Sequence, residues 1–224
     1  MKPTLDEYIQ RDPRILKVYK EARRRYAEVE LFHHNFTHVM RDLHRALVIA
    51  ADEGSVDYGI LIPSVLLHDI GFCTPDFKKL GHDVAGKRLG TEILKDLGYS
   101  EDECKAIGHC IHAHKGKAEL PGTLEARILF DADVLEKAGL VFLIWGGKLI
   151  SEFRESIHDF LKREIKDRGL ELERGLYTRK ARELDGGRLK KVRAMFIEIQ
   201  KEISAERPDY EITEDDLWQN AAPP

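Results

Sequence analysis

The feature that most constrains this chain is an apolar run that ends in an adjacent histidine and aspartate. Seven of the eleven residues from Ile60 to Ile70 are apolar, His68 and Asp69 stand near the end of the run, and Gly71 follows directly. So dense a run is typical of a buried helix or strand. A charge buried there without a partner costs on the order of several kcal/mol, so this pair requires a compensating group. A metal ion would use both side chains; the alternative is a helix end capped by Gly71, with Asp69 at its rim.

The composition points to a folded protein without a nucleic-acid or membrane signal. The chain has 224 residues, of which 42% are hydrophobic and 34% charged, as in globular proteins with much exposed helical surface. A net charge of −4 gives no signal for nucleic acid or an anionic membrane. No apolar run approaches the roughly 20 residues of a membrane span, and the N-terminal residues do not resemble a secretory signal. The three cysteines are odd in number and lack CxxC spacing, which argues against a disulfide framework. These features predict a cytoplasmic protein and leave its oligomeric state open.

Apolar residues recur at helical spacing along most of the chain, and the sequence shows no convincing set of strands. Pro13 is expected to divide residues 4–29 into two helices. Residues 72–80 are predicted to form a loop and residues 170–174 a turn. The chain is therefore predicted to be one all-helical domain over residues 1–224, with a core at about 25–150, C-terminal helices at 151–205 and a frayed tail at 215–224.

Three groups of polar residues stand out against the apolar pattern. The dipeptide His-Asp occurs three times, and only His68-Asp69 lies in an apolar run. Upstream, His38 lies on a predicted helix, although alone it also fits a boundary histidine bonded to a neighbour. Downstream, Asp131 and Asp133 lie in the middle of an apolar helix, which is unusual for acidic residues. The chain thus contains a histidine, a His-Asp doublet and a distant aspartate, in that order.

This order, with Leu66-Leu67-His68-Asp69-Ile70-Gly71 intact, resembles the HD-domain metal-dependent phosphohydrolase superfamily, in particular its small single-domain hydrolases. Residues 34–41 resemble the family's first ligand helix, residues 125–136 its last ligand helix, and residues 176–196 the C-terminal helices of its small bacterial members. The resemblance implies an all-α HD-domain helical bundle with a C-terminal helical extension. It also implies one divalent metal ion held by His38, His68, Asp69 and Asp133.

The choice between the two downstream aspartates depends on helix geometry and on the family pattern. Residues two positions apart on a helix point about 200° apart, so one metal cannot readily take both Asp131 and Asp133. The family's ligand follows an alanine, which favours Asp133. Asp131 is the alternative ligand; otherwise it fixes a neighbouring helix.

The resemblance also implies roles for further residues. Two-metal members add one histidine on the helix after the doublet and another on the next helix, and His82 and His114 resemble those positions. The resemblance implies substrate binding or a second metal for these two, with His109 and His112 as nearby alternatives; a cleft-lining position without a ligand is the competing interpretation. Arg41 and Lys137 lie close in sequence to proposed ligands and are therefore candidates for phosphate contact. On charged helices, such residues are often only solvated.

The implied donor set suits a hydrolytic metal centre. Two imidazoles and two carboxylates suit Mn²⁺, Fe²⁺, Ni²⁺ or Zn²⁺, with Mg²⁺ as a further candidate. The metal would lower the pKa of its bound water and polarise a phosphoryl oxygen, and Asp69 would serve catalysis as well as metal binding. The implied function is a phosphohydrolase that acts on a phosphomonoester or nucleotide. The alternatives are a di-iron HD-type oxygenase and a non-catalytic metal-binding HD module. Some nucleotidases of the superfamily carry an acidic proton donor after the doublet, where this chain has Gly71 and Phe72, so no general acid is assigned.

Overall fold

The structure is a computed structural model that describes residues 5–206, and these residues form helices and connecting turns without a β-strand. The all-α prediction is confirmed, whereas the tail predicted at residues 215–224 lies outside the described residues. In chain order the helices are α1 (Leu5–Arg11), α2 (Arg14–Ala27), α3 (Phe36–Ala50), α4 (Tyr58–Leu67), a 3₁₀ turn (Ile70–Cys73), α5 (Phe77–Leu80), α6 (His82–Asp96), α7 (Glu101–Ala113), α8 (Leu124–Glu136), α9 (Val141–Phe153), α10 (Ile157–Arg174), α11 (Arg179–Asp185) and α12 (Arg188–Glu206).

Side-chain caps set where several helices begin. The Asn35 side chain accepts hydrogen bonds from the backbone N–H groups of Thr37 and His38, which starts α3. Ser100 starts α7 in a reciprocal capping box with Glu103, as its sequence spacing indicates. Such a cap contributes about 1 kcal/mol. The cap on α3 places His38 in the first turn of that helix.

The apolar run forms a helix rather than a strand. Asp57 accepts a hydrogen bond from the backbone N–H of Gly59 at 2.9 Å and starts α4. The helix ends at Leu67, and the chain then passes through His68 and Asp69 into the 3₁₀ turn. This geometry places the His-Asp doublet at a buried helix end.

The interpretation of Gly71 as a left-handed helix cap is wrong. Its φ does not lie in the positive region, unlike that of Gly81 or Gly98. A Cβ at Gly71 would instead lie 1.9 Å from the carbonyl oxygen of His82 and 2.7 Å from the backbone nitrogen of Gly86. A glycine is required there because the 3₁₀ turn packs backbone to backbone against the start of α6.

Two apolar clusters hold the helices together. The larger cluster is built mainly by α1 to α8, and α4 contributes five fully buried residues to it: Leu61, Ile62, Val65, Leu66 and Leu67. Burying one such side chain contributes about 1.5–3 kcal/mol. The smaller cluster belongs to α9, α10 and α12 and contains Phe142, Leu149, Phe160, Leu161, Val192 and Phe196. The C-terminal helices therefore have a small core of their own.

Two local predictions need correction. Residues 72–80 are not an open loop, because they contain the end of the 3₁₀ turn and the short helix α5. The turn predicted at residues 170–174 is wrong, because α10 continues to Arg174 and ends at Gly175, whose φ is +74°. Pro13 does separate α1 from α2, as predicted. Among residues 5–206, no helix combines the length and apolar character that crossing a bilayer requires.

Candidate metal centre

Three separate parts of the chain bring histidine and aspartate side chains to one buried point. His38 comes from α3, His68 and Asp69 from the end of α4, and Asp133 from α8, and each of the four is at most 5% exposed. His38 Nε2 lies 3.3 Å from Asp69 Oδ2 and 3.9 Å from Asp133 Oδ1. His68 Nε2 lies 3.4 Å from Asp69 Oδ2. The structure therefore brings together the four residues that the sequence singled out as metal ligands.

A fifth residue, Asp42, joins this group and was missed at the level of sequence. It is fully buried on α3, one turn after His38. Its Oδ2 atom lies 3.2 Å from His38 Nε2 and 3.6 Å from His68 Nε2. Residues four apart share a helix face, so the spacing from His38 was the available signal.

The other downstream aspartate, Asp131, points away from the centre. Its carboxylate accepts hydrogen bonds from the backbone N–H groups of Tyr177 at 2.9 Å and Thr178 at 2.7 Å. The Thr178 hydroxyl donates a third hydrogen bond at 2.7 Å. Asp131 thus fixes the start of α11 against α8, while Asp133 faces His38.

Asp42 and Asp133 each use one carboxylate oxygen to bind a cationic side chain behind the centre. Arg45 Nη1 donates to Asp42 Oδ1 at 2.9 Å, and Lys137 Nζ donates to Asp133 Oδ2 at 2.7 Å. The second oxygen of each carboxylate is turned toward His38. This arrangement fixes the orientation of both carboxylates.

Contacts behind the rings also fix the orientation of the imidazoles. His68 Nδ1 donates to the carbonyl oxygen of Val65 at 2.8 Å, so Nε2 is the ring nitrogen that faces the aspartates. His38 Nδ1 lies 3.6 Å from Glu136 Oε1, and Glu136 is buried. A carboxylate or carbonyl behind an imidazole is the usual arrangement for histidines that bind metals.

Arg41 lies behind this centre and does not reach the cavity that adjoins it. Its Nε donates to Glu136 Oε1 at 2.7 Å, and its guanidinium carbon lies 4.6 Å from the centroid of the Trp145 ring. The phosphate contact proposed for Arg41 stays a prediction, and its contacts here hold Glu136 in place. Lys137, in contrast, lines the cavity while it pairs with Asp133.

A second group of possible ligands lies on the outer side of Asp69. Asp69 Oδ1 is 3.3 Å from His82 Nε2 and 3.4 Å from His114 Nε2. His114 Nδ1 donates to the carbonyl oxygen of Ile111 at 2.6 Å, so Nε2 is the ring nitrogen that faces Asp69. His109 and His112 are not part of this group, because their Nδ1 atoms contact the two oxygens of Glu119.

The charges of the centre favour a cation. Burial opposes a charge on His38, but the nearby carboxylates of Asp42, Asp69 and Glu136 outweigh burial and raise the pKa of His38 well above its ordinary value. Burial and the charge of Asp133 raise the pKa of Asp42 to about 6, although His38 and His68 act in the opposite direction. The protein alone therefore holds protons where several carboxylates converge, and metal binding would displace them.

The donor atoms also pass a direct test of fit to a metal. Three buried atoms at the centre have no hydrogen-bond partner: His38 Nε2, Asp42 Oδ2 and His68 Nε2. A buried polar atom without a partner calls for an explanation, and a bound ion is one. One ligand atom from each of His38, Asp42, His68 and Asp133 lies within 4.8 Å of all the others. These nitrogen and oxygen donors fit a divalent cation of the Mn²⁺, Fe²⁺, Ni²⁺ or Zn²⁺ type.

The centre opens onto a cavity of about 420 Å³. Its inner wall includes Asp69, His82, His114 and Asp133, and its outer wall comes partly from α9 and α10. Most of the cationic side chains that line it are paired with carboxylates: Lys117 with Asp167, Lys137 with Asp133, Arg163 with Glu155 and Glu164, and Arg168 with Glu164 and Glu171. Lys115 also lines the cavity, and within residues 5–206 no carboxylate oxygen lies within 4.0 Å of its ammonium group.

The structure is that of an all-helical protein with a buried histidine–aspartate cluster that could hold a metal ion. The family model of the HD domain matches residues 35–138, which contain every residue of the centre. The chain is similar to a predicted HD superfamily hydrolase from an uncultured Thermotogales bacterium, with 23% identity over 91% of this chain and 99% of that chain and a TM-score of 0.57. It is also similar to an HD-superfamily hydrolase from Bacillus thuringiensis, with 19% identity over 85% of this chain and 97% of that chain and a TM-score of 0.58. A sequence comparison with curated proteins found no match. Residues 35–138 therefore match the HD-domain family, and both solved structures share the fold of this chain.

Proposed function

We propose that this protein is a metal-dependent phosphohydrolase that acts on a phosphomonoester or a nucleotide. The observation that carries the proposal is the convergence of His38, His68, Asp69 and Asp133 on one buried point, where both Nε2 atoms lack a hydrogen-bond partner. These four residues are the proposed protein ligands.

The protein's own groups position the substrate next to the centre. A bound divalent cation supplies Lewis acidity and activates water for attack on phosphorus. Asp69 faces the centre with Oδ2 and the cavity with Oδ1, so it links the two. His82 and His114 contact Oδ1 from the cavity side, where they bind phosphoryl oxygens or a second cation. Burial lowers the pKa of His82 well below its ordinary value, so its ring is neutral near pH 7 and suited to a metal.

The cavity provides a site for an anionic group. Lys115 lies directly after His114 and has no carboxylate partner within reach among residues 5–206, so its ammonium group is available to a phosphate. Burial lowers the pKa of Lys115, and a bound anion would oppose this effect. Lys137 is a second cation at the cavity wall, shared with Asp133. A volume of about 420 Å³ suits a small phosphorylated molecule.

The decisive experiment is elemental analysis of metal per chain, followed by assays for phosphate release. We expect the wild type to retain a divalent metal, and we expect His68→Ala and Asp133→Ala to lose it. Asp131→Asn is the matched control, since it changes a buried aspartate on the same helix that points away from the centre. With Mn²⁺ or Ni²⁺ added, the wild type should release phosphate from at least one phosphomonoester or nucleotide. Metal retention without turnover on such a panel would favour a non-catalytic module.

A second candidate function, oxygenase chemistry at a di-iron site, is favoured by one observation. Asp69 Oδ1, His82 and His114 form a second group of possible ligands directly beside the first. An oxygenase would retain about two iron ions per chain and consume O₂ with its substrate. A phosphohydrolase would release phosphate without O₂ consumption, so the two assays separate the candidates.

A further inference from the structure

We propose that Asp42 is an additional ligand of the metal ion, beyond the histidine–histidine–aspartate–aspartate set. The inference rests on the proposed metal centre and adds a residue to it. Asp42 is fully buried, and its Oδ2 atom has no hydrogen-bond partner. That unpartnered oxygen is directed at the two histidines of the centre.

Asp42 occupies the same position relative to the histidines as Asp69 does. Asp42 Oδ2 lies 3.2 Å from His38 Nε2, and Asp69 Oδ2 lies 3.3 Å from the same atom. The corresponding distances to His68 Nε2 are 3.6 Å and 3.4 Å. One ligand atom from each of His38, Asp42, His68 and Asp133 lies within 4.8 Å of the others, so one ion can lie between Asp42 and both imidazoles.

The spacing of these atoms allows them to share one ion. With bonds of about 2.1 Å, the ligands of a tetrahedron lie about 3.4 Å apart, and those of an octahedron about 3.0 Å or 4.2 Å apart. Five of the six distances from the two histidine Nε2 atoms to the oxygens of Asp42, Asp69 and Asp133 run from 3.2 to 3.9 Å. For the sixth pair, His68 and Asp133, the ligand atoms lie within 4.8 Å of each other.

The residues behind Asp42 support a ligand role over a purely structural one. Arg45 binds the Oδ1 atom of Asp42, as Lys137 binds the outer oxygen of Asp133. An aspartate present only to pair with Arg45 would not need a second oxygen buried among imidazoles, since a buried unpaired acceptor costs about 1–3 kcal/mol. In both residues the cation orients the carboxylate and leaves one oxygen for the centre.

A third carboxylate has a consequence for the choice of metal. It adds one negative charge and one hard oxygen donor to the two imidazoles and two carboxylates of the proposed set. Oxygen-rich, six-coordinate sites favour Mn²⁺, Fe²⁺ or Mg²⁺, whereas Zn²⁺ prefers four ligands. Asp42 should therefore shift the preference of this centre away from Zn²⁺.

The test compares the full chain with Asp42→Ser, whose side chain is too short to reach the ion, and with Asp42→Asn, which keeps the shape but removes the charge. We expect Asp42→Ser to weaken Mn²⁺ binding by more than about 100-fold, because changes outside the ligand set cost about 10–100-fold. Asp42→Asn should weaken it by about tenfold. Asp131→Asn is the control and should bind Mn²⁺ like the wild type.

The visible absorption spectrum of bound Co²⁺ gives a readout that a structural role would not change. Co²⁺ bands change in intensity with coordination number, so Asp42→Ser should give a different spectrum from the wild type, and Asp131→Asn the same one. An unchanged Co²⁺ spectrum and Mn²⁺ affinity in folded Asp42→Ser would overturn the inference. A wild type that binds no divalent metal would instead overturn the proposed function, so the two failures are distinguishable.

The melting temperature of the metal-free protein gives a further test, which also applies if a variant folds poorly. Removal of one of several converging carboxylates should raise the melting temperature of the metal-free Asp42→Asn protein, while the increment gained on adding Mn²⁺ should shrink. A structural partner of Arg45 would give the opposite sign, with a lower melting temperature and an unchanged increment. That result would also overturn the inference.

Discussion

The metal centre and α10 both bury charged side chains next to the same cavity, yet they pair those charges differently. On α10, Arg168 Nη1 lies 3.1 Å from Glu164 Oε2, and its Nε lies 2.6 Å from Glu171 Oε2. Each buried carboxylate there faces a guanidinium. At the centre, the inward-facing oxygens of Asp42 and Asp69 face imidazole nitrogens, whose charge depends on protonation.

The difference shows how burial and pairing together separate structure from function. Burial alone marks both regions, since Arg168 and Glu164 are each 2% exposed, like Asp69. What distinguishes the centre is that its carboxylates converge with imidazoles, which can give up a proton and bind a metal. The α10 carboxylates face guanidinium groups, which stay protonated and cannot bind one.

The largest expected effect comes from breaking the paired region. Arg168→Met should lower the free energy of unfolding by about 3–5 kcal/mol, because Glu171 would lose its guanidinium partner and Glu164 would keep only Arg163. Metal bound per folded chain should stay at the wild-type value. Urea unfolding and elemental analysis of the folded fraction measure the two quantities. If the folded variant lost its metal, the distinction between the two regions would fail.

The next prediction tests whether the close packing of Gly71 against α6 positions His82 at the cavity side of the centre. Gly71→Ala should destabilise the protein by about 3 kcal/mol, the upper end for overpacking, because the added Cβ meets the backbone of His82 at 1.9 Å. The shift of His82 should also weaken inhibition by inorganic phosphate. Gly147→Ala is the matched control: it lies within α9 with no atom within 4 Å of the added Cβ, so its stability should rise by up to about 1 kcal/mol.

A smaller effect sharpens the comparison within one helix. Asp131 resembles the α10 residues because its carboxylate is satisfied by Tyr177 and Thr178, although it lies only two positions from Asp133. Asp131→Asn should cost about 1–3 kcal/mol in unfolding free energy through lost hydrogen bonds, with metal content retained. Asp133→Asn should do the reverse, with loss of metal and little loss of metal-free stability. Equal metal loss in both variants would contradict this assignment.

The smallest effect extends the comparison to a paired charge nearer the surface. The hydrogen bond from Arg14 lowers the pKa of Glu103 to about 2, from an ordinary value of 4.5. A carboxylate whose pKa is lowered on folding stabilises the fold above pH 4.5, and this contribution is lost as the pH falls toward 2. Because both side chains are about a third exposed, Glu103→Gln should cost less than about 1 kcal/mol at pH 7. The difference from wild type, measured by urea unfolding, should shrink below pH 4.5; a constant difference would exclude this pair as its cause.

The sequence predicted the helical fold and the convergence of the main residues, because both depend on local patterns. Helical spacing and caps define elements such as α7, and the order of His38, His68-Asp69 and Asp133 carried the family resemblance. The 3.6-residue turn indicated that one metal cannot readily take both Asp131 and Asp133, and the family pattern favoured Asp133. Their role as ligands stays a proposal that the metal analysis tests.

The features that the sequence did not reveal depend on packing between distant segments. The close approach of Gly71 to α6 is a contact between backbones, which no side-chain pattern encodes. Arg168 reaches the cavity only because the C-terminal helices pack beside it, and an amphipathic charged helix gives no sign of that position. Asp42 is different, since its spacing from His38 was visible, and only its burial distinguishes it from a surface aspartate.

The placement of Asp69 between two groups of imidazoles has a consequence for how the protein fills with cations. One carboxylate shares a single negative charge between an inner and an outer oxygen, each faced by two histidine nitrogens. Charge drawn to one oxygen is no longer available to the other. The first metal ion should therefore bind tightly and the second in a separate, weaker step, as the two protons of a dibasic acid do.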